Sequence, residues 1–484
     1  MLKFILRESI LYTLANYTAV IANLFITPLI TPMLQPEDYA ILALFHAVGG
    51  AISPLGNLGL IFLFQTSFFK DKENWKSRWK DYLGFLHVYR ILYMLMIVGA
   101  LIAVLHNDIP RENWLEVGLL IIIPIVFLDM VRVIGMRLCQ WQHNHRKVHI
   151  TTAVSGLSAA LVSLYTIRYL NMGYIGWFYS LFTAAFIQFI FYAYILFVKE
   201  KLYPNFYFPI RFMRERLKVA LPMVPHQSSA FLLDTSDRLM MKFMNVSMSN
   251  IGLYSIAYSF GLYFNNFNGQ ITTVLSPIYF QIHGENKPEG PGIIRGMTWI
   301  WLAIVLVGGF LLSIWTKELF HFLYRNDELN VAYPYSIFII MALCYKPMYS
   351  ACMNKVIFEE KTKAMLKISL VGGIINVILN LILIPIYGFE AAIFTTFFSY
   401  MYIGFSGFYL KGVKEHITLN YRPMLALSAI IGASFLAYYC VELAMWYKVG
   451  ISVLVVMFCV VAYFKKGRQL VKLVNSYKVR PDQA

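Results

Sequence analysis

The chain reads as an all-α polytopic membrane protein of about fourteen transmembrane helices. Two six-helix bundles related by pseudo-two-fold symmetry, plus two C-terminal helices, account for them. Three observations predict this. Only 14% of the 484 residues are charged against 59% hydrophobic, with a mean hydropathy of +0.61. A soluble domain carries roughly 25% charged residues, and one buried core cannot absorb such a deficit. Fourteen apolar stretches reach the roughly 20 residues needed to cross about 30 Å of hydrocarbon. Finally, the sequence resembles itself after about 212–216 residues.

The first stretch, 10–33, follows Lys3 and Arg7; it is too long for a signal-peptide core and lacks a small-residue cleavage site. The second, 40–64, follows Pro36-Glu37-Asp38. Lys70, Lys72, Lys76, Arg78 and Lys80 separate it from 82–105. Arg137, Arg146 and Lys147 lie at the junction of 115–138 and 150–170, and Asn171-Met172 leads almost without interruption into 173–198. The longest connection, 199–217, is basic and precedes 218–243, 250–282 and 293–315. Then come 331–354, 364–386 and, after Tyr387-Gly388, 388–410. The pair 422–441 and 446–464 closes the series. With the N-terminus inside, thirty-one Lys and Arg fall in inner connections and the tail, and six in outer connections. One missed helix would scramble that division, so both ends are expected in the cytoplasm.

The internal repeat rests on two matches. Pro36-Glu37-Asp38-Tyr39-Ala40-Ile41 corresponds to Ser249-Asn250-Ile251-Gly252-Leu253-Tyr254, and Asn171-Met172-Gly173-Tyr174 to Ile386-Tyr387-Gly388-Phe389. Six helices per repeat is an even number, so both halves share one orientation and can rock about a central cleft. The expected division is 1–200 and 201–412 for the bundles, 413–464 for the added helices, and 465–484 for a basic cytoplasmic tail.

The net charge of +16 would suggest nucleic acid in a soluble protein. Here its placement in short connections points to membrane lipids instead, with no nucleic-acid partner. The five cysteines lie in or beside apolar segments without metal-ligand spacing. No paired carboxylates, His/Cys cluster, nucleotide-binding glycine loop or long catalytic loop is legible. No catalytic residue, metal or cofactor is therefore expected, which argues against a membrane-embedded glycan polymerase.

Charges and amides inside the spans demand reasons, because each charge at the bilayer centre costs roughly 2.5–3.5 kcal/mol. Arg90, Arg132, Arg238 and Lys346 are the embedded cations, and Asp129, Asp234 and Asp237 the acids. Asp129/Arg132 and Asp234/Arg238 stand at i,i+3 and i,i+4, so each can pair on one helix face. Alternatively the three arginines line the cleft and bind phosphate. Asp234 and Asp237 are candidates for coupling a proton or sodium ion. Asn265, Asn266, Asn268 and Gln270 sit mid-span as candidate ligands for sugar hydroxyls, although they occupy more than one face and some must hold helices together. Tyr254, Tyr258 and Tyr263 precede them; Asn376 and Asn380 share a face and read as helix packing. Pro222 and Pro225 break the seventh span as a hinge, followed by His226 and Gln227.

Leu221-Pro222 through Asp237-Arg238, Gly252-Leu253-Tyr254, and Asn376…Asn380-Leu381 with Ile384-Pro385 and Gly388 resemble motifs of the polysaccharide-export and O-antigen flippases. Those belong to the multidrug/oligosaccharidyl-lipid/polysaccharide exporter superfamily. Pro36-Glu37-Asp38-Tyr39 resembles its first-loop motif, with Ala40 where glycine is usual. The resemblance implies a bacterial inner-membrane flippase carrying an undecaprenyl-diphosphate-linked oligosaccharide toward O-antigen, capsule or exopolysaccharide. It implies a polyprenyl-diphosphate-linked glycan as cargo, with polysaccharide polymerase and glycosyltransferases as partners. The peptidoglycan-precursor flippase concentrates arginine in its first, second and eighth helices, and none lies within those spans here. Drug exporters of the superfamily often carry an acid in the first helix, and this chain has none there; a cation-coupled exporter is the alternative.

Overall fold

The computed structural model describes Thr18, residues 20–71, 73–142, 144–221, Val224, 231–285, 287–359, 362–417, 419–462 and Phe464. Every regular element among them is helical. Ten of these helices are long and apolar enough to span a membrane. The protein is a multi-pass membrane protein. It divides into two compact units, one of residues up to Phe231 with Leu323–Asn326, the other of Leu232–Phe322 and the residues from Asp327 onward.

The first unit comprises α1 (Val20–Met33), α2 (Pro36–Asn57), α3 (Leu60–Lys70), α4 (Trp75–Leu105), α5 (Arg111–Trp141), α6 (Arg146–Tyr169), α7 (Tyr174–Lys199) and α8 (Ile210–Ala220). The stretch 40–64 is thus two helices rather than one. Pro54 sits in a closing 3-10 turn, and Leu58 (φ 49°) and Gly59 (φ 76°) reverse the backbone into the left-handed region. The Asn57 side chain accepts the Gly59 amide at 2.9 Å, fixing that turn.

Behind α3, Phe64, Trp79 and Tyr82 are buried, and Phe64 meets the other two rings edge-on at 5.0 and 5.3 Å. The Trp79 indole N–H is satisfied by the Phe64 carbonyl (3.1 Å) and Ser67 Oγ (2.9 Å), as a buried indole requires. The 199–217 connection docks on α4. Asn205 donates its amide to the Lys80 carbonyl (2.8 Å) and its side chain to Asp81 (2.6 Å). Glu200 receives Lys76 at 2.8 Å and Gln142 at 2.9 Å. Burial works to raise the Glu200 carboxyl, but those two donors outweigh it and hold the group below its ordinary range.

The second unit comprises α9 (Ser236–Phe243), α10 (Met248–Glu285), α11 (Gly290–Ile314), α12 (Thr316–Leu323), α13 (Asp327–Phe358), α14 (Thr362–Tyr387), α15 (Phe389–Ser406), α16 (Pro423–Cys440) and α17 (Met445–Ala462). Its centre is α13, which is largely buried, while α17 is almost wholly exposed. Along α17 the buried residue is Lys448, which meets Glu318 at 2.6 Å. Trp315 adds a bond to Ser452 at 3.1 Å. The rest of α17 presents Trp446, Leu454 and Phe458 outward, as a lipid-facing helix does.

The two units repeat one local device. Gly173 (φ 52°) precedes α7 and Gly388 (φ 68°) precedes α15, each turning a nearly continuous helix pair into an antiparallel hairpin. A side chain would be strained at either φ, which accounts for glycine at both places in the sequence repeat.

Candidate functional site

In the first unit, Pro124 lies inside α5, and Pro124–Leu128 forms a π turn. Such a turn shifts the amide register and leaves a carbonyl without its helical partner. Arg90 of α4, 6% exposed, fills this role: Nη1 donates to the Ile125 carbonyl at 3.0 Å, and the guanidinium lies over Tyr93 at 5.1 Å. Arg90 is therefore engaged inside the unit. Arg132 differs. Its side chain is 36% exposed, held by Asp129 Oδ1 at 2.9 Å and by Gln188 at 3.4 Å, and Gln188 in turn donates to Ser155 at 2.9 Å. A cation is thus oriented but still accessible, about 14 Å from the end of α5 at 1.5 Å per residue.

The second unit gathers a denser cluster. Asp237, 0% exposed, accepts from the Tyr254 hydroxyl, from Asn380 Nδ2 (2.8 Å) and from Thr396 Oγ1 (3.0 Å). Asn380 also donates to Asn376 at 3.1 Å and accepts from Thr395. Oxygens of one carboxylate, two amides and three hydroxyls thus converge from α9, α10, α14 and α15. Beside them Arg238, 6% exposed, lies over the rings of Tyr258 (4.4 Å) and Tyr254 (5.3 Å). The i,i+4 spacing brings Arg238 Nη1 to the main-chain carbonyl of Asp234 at 2.7 Å, while the exposed Asp234 carboxylate accepts from Tyr400 at 2.7 Å. Tyr400 and Tyr258 hydroxyls stand 3.1 Å apart.

Asn380, expected to pack helices with Asn376, is therefore also a partner of Asp237, as is the Tyr254 hydroxyl, while Asn376 bonds Asn380 and Thr396. Thr395, Thr396 and Tyr400 were not singled out from sequence. Their signal is present all the same: Thr395, Thr396, Ser399 and Tyr400 make a polar stripe at helical spacing within apolar α15.

The amides of α10 separate by face. Asn268 is 0% exposed and donates to the Leu343 carbonyl at 3.3 Å. Pro347 explains why that carbonyl is free: the amide that would bond it, four residues on, is absent in proline. The chain passes through a 3-10 turn there, Leu343–Tyr345. Asn265 is half-buried, and its Oδ1 is enclosed without a hydrogen-bond partner among the described residues. Asn266 and Gln270 point outward, on one stripe with Tyr263, Phe267 and Thr273. Pro222, Pro225, His226 and Gln227 lie outside the described residues.

The Asn268 assignment has a direct check. Asn268→Leu should cost about 1–3 kcal/mol, the penalty for a buried acceptor left unmet. In a Pro347→Ala background, where residue 347 regains its amide, that cost should fall below about 1 kcal/mol. Reversible SDS unfolding of the four proteins measures the coupling. An equal cost in both backgrounds would rule out this role for Asn268.

A protein-family model described as polysaccharide biosynthesis protein matches residues 5–283. The chain belongs to this family. Among solved structures, it is similar to the lipid II flippase MurJ in an inward closed conformation, at 15% identity and a TM-score of 0.71, covering 96% of this chain and 100% of that one. It is also similar to an inward-facing multidrug-resistance transporter of the MATE family within the MOP superfamily. That match has 12% identity and a TM-score of 0.60, covering 86% and 95%. At these identities the likeness establishes the fold, which is that of flippases and multidrug transporters. No curated protein sequence matches the chain at a significant level.

Proposed function

We propose that this member of the polysaccharide biosynthesis family is a flippase of the bacterial inner membrane. Its cargo is a polyprenyl-diphosphate-linked oligosaccharide destined for O-antigen, capsule or exopolysaccharide, and both termini are cytoplasmic. The observation that carries the reading is the outward stripe of α10. Asn266 and Gln270 project from a helix of 38 residues that is too polar to rank with the apolar spans. Lipid cannot satisfy two amides, so this face belongs against water or hydroxyls. Tyr263 and Phe267 beside it offer rings on which sugars stack. Arg132, oriented but accessible, supplies the diphosphate contact through charge-assisted bonds; Arg90 and Arg238, both buried, position neighbouring groups.

Asp237 and its oxygen neighbours serve a coupling cation, with Asp234 at the accessible side. The described parts of α1, α2 and α10 contain no lysine or arginine, which argues for a glycan other than the peptidoglycan precursor. The alternative, cation-coupled export of a drug or metabolite, draws support from the MATE likeness.

Asn266→Leu combined with Gln270→Leu should reduce surface polysaccharide at least tenfold in the native host while the protein still reaches the membrane. Lipid-linked glycan should accumulate on the inner leaflet, detected by its inaccessibility to glycosidase added to spheroplasts. Arg132→Ala should behave likewise. Unchanged surface polysaccharide in both variants would reject the reading, and loss of drug resistance with polysaccharide intact would favour the exporter.

A further inference from the structure

The far end of α10 holds a second polar site, about 43 Å along the helix from Tyr254 at 1.5 Å per residue. A cavity of about 120 Å³ is lined there by His283, Lys287 and Lys355, by Gly290 and Pro291 at the start of α11, and by Tyr421. Lys287 meets Glu285 at 2.8 Å and Lys355 meets Glu359 at 3.0 Å. Arg295, one turn into α11, reaches the Asn420 carbonyl at 3.5 Å beside Tyr421. Lys287, Lys355 and Arg295 thus share these segments with Glu285, Glu289 and Glu359, and of the six the two lysines line the cavity itself. The N-terminal end of a helix of 25 residues adds its partial positive charge.

The His283 ring packs beside Phe358 at 5.7 Å, and its Nε2 is enclosed with no hydrogen-bond partner among the described residues. A buried ring nitrogen without a partner costs free energy unless something completes it. The same groove holds two ammonium groups, each engaged with a glutamate.

We propose that this cavity binds a phosphate group. Two ammonium groups, one imidazole and the helix start line a space of about 120 Å³. A phosphate offers more acceptor oxygens than a carboxylate to meet them. Each glutamate holds its lysine in place, so the cations are oriented before the ligand arrives. Two sources carry that chemistry: the headgroup of an anionic lipid in the adjoining leaflet, or free phosphate. The site stands independently of the α10 amide stripe and of the Asp237 cluster.

The experiment uses the full chain in nanodiscs. Retention of dioleoylphosphatidic acid over phosphatidylcholine is read by native mass spectrometry, and inorganic phosphate is titrated with 31P line broadening. Wild type should retain phosphatidic acid, or broaden the phosphate line, with the first result assigning the lipid and the second the free ion. Lys287→Gln with Lys355→Gln should weaken whichever probe binds at least tenfold. The Lys287→Arg, Lys355→Arg pair should bind within about threefold of wild type, and His283→Ala should weaken binding severalfold without touching either ion pair. Binding of neither probe overturns the proposal, and so does equal binding by the glutamine and arginine pairs.

Discussion

Replacing Asp237 with alanine should abolish transport and destabilise the second unit by about 3–5 kcal/mol. The carboxylate is the common acceptor of Tyr254, Asn380 and Thr396, all buried. Removing it leaves three donors in a dry environment, each worth roughly 1–3 kcal/mol if unmet, with partial rearrangement lowering the sum. It also removes a buried negative charge next in sequence to the buried Arg238 cation, which adds to that cost. Asp237→Asn separates the two consequences. The amide keeps the shape and one acceptor oxygen, so the unfolding midpoint should drop by less than half as much. The charge is gone, so stimulation of transport by a sodium or proton gradient should vanish in proteoliposomes. An alanine variant as stable as wild type would show that the carboxylate does not hold α9, α14 and α15 together. A gradient-dependent asparagine variant would remove it from coupling.

The same cluster shows where sequence reading succeeds and where it stops. Most helix positions among the described residues are legible because lipid imposes a length and an apolarity that leave little freedom, and basic residues mark the connections; the break at Leu58-Gly59 is not. The Asp129–Arg132 pair was legible because i,i+3 spacing is set by the helix alone. Asp237 with Asn380 was not: the partners are 143 residues apart in sequence, and only tertiary packing brings them together. Arg90 illustrates a subtler failure. An arginine in an apolar helix with no acid on its own face looks available for phosphate, yet its partner is a main-chain carbonyl freed by a π turn in another helix. Backbone acceptors created by helix defects are invisible to side-chain patterns. Pro347 is nevertheless a clue, since a proline inside a span leaves the carbonyl four residues before it for some donor to meet. Asn268 is that donor.

A second large effect is expected at Gly84, where α4 receives the 199–217 connection. A Cβ built on Gly84 would lie 1.7 Å from the Asn205 carbonyl oxygen and 2.4 Å from its carbon. These are backbone atoms, pinned by the Asn205 bonds to Lys80 and Asp81, so no rotamer change relieves the clash. Even Gly84→Ala must push the connection off the helix, and Gly84→Val more so. Overpacking of this kind costs about 1–3 kcal/mol when neighbours yield and more when they cannot. The connection carries Lys199, Lys201, Arg211 and Arg214, so its release should be readable as trypsin cleavage of protein in intact membranes prepared inside out. Wild type should resist where Gly84→Val is cut at least tenfold faster.

Gly99, fifteen residues along the same helix, is the internal control, because its built Cβ meets nothing within 4 Å. There the alanine substitution gains helix propensity, up to about 1 kcal/mol in water, and should leave cleavage unchanged. Equal behaviour of the two alanine variants would mean that close approach of Asn205 does not explain glycine at position 84. Opposite signs would tie that residue to the seating of the basic connection on α4.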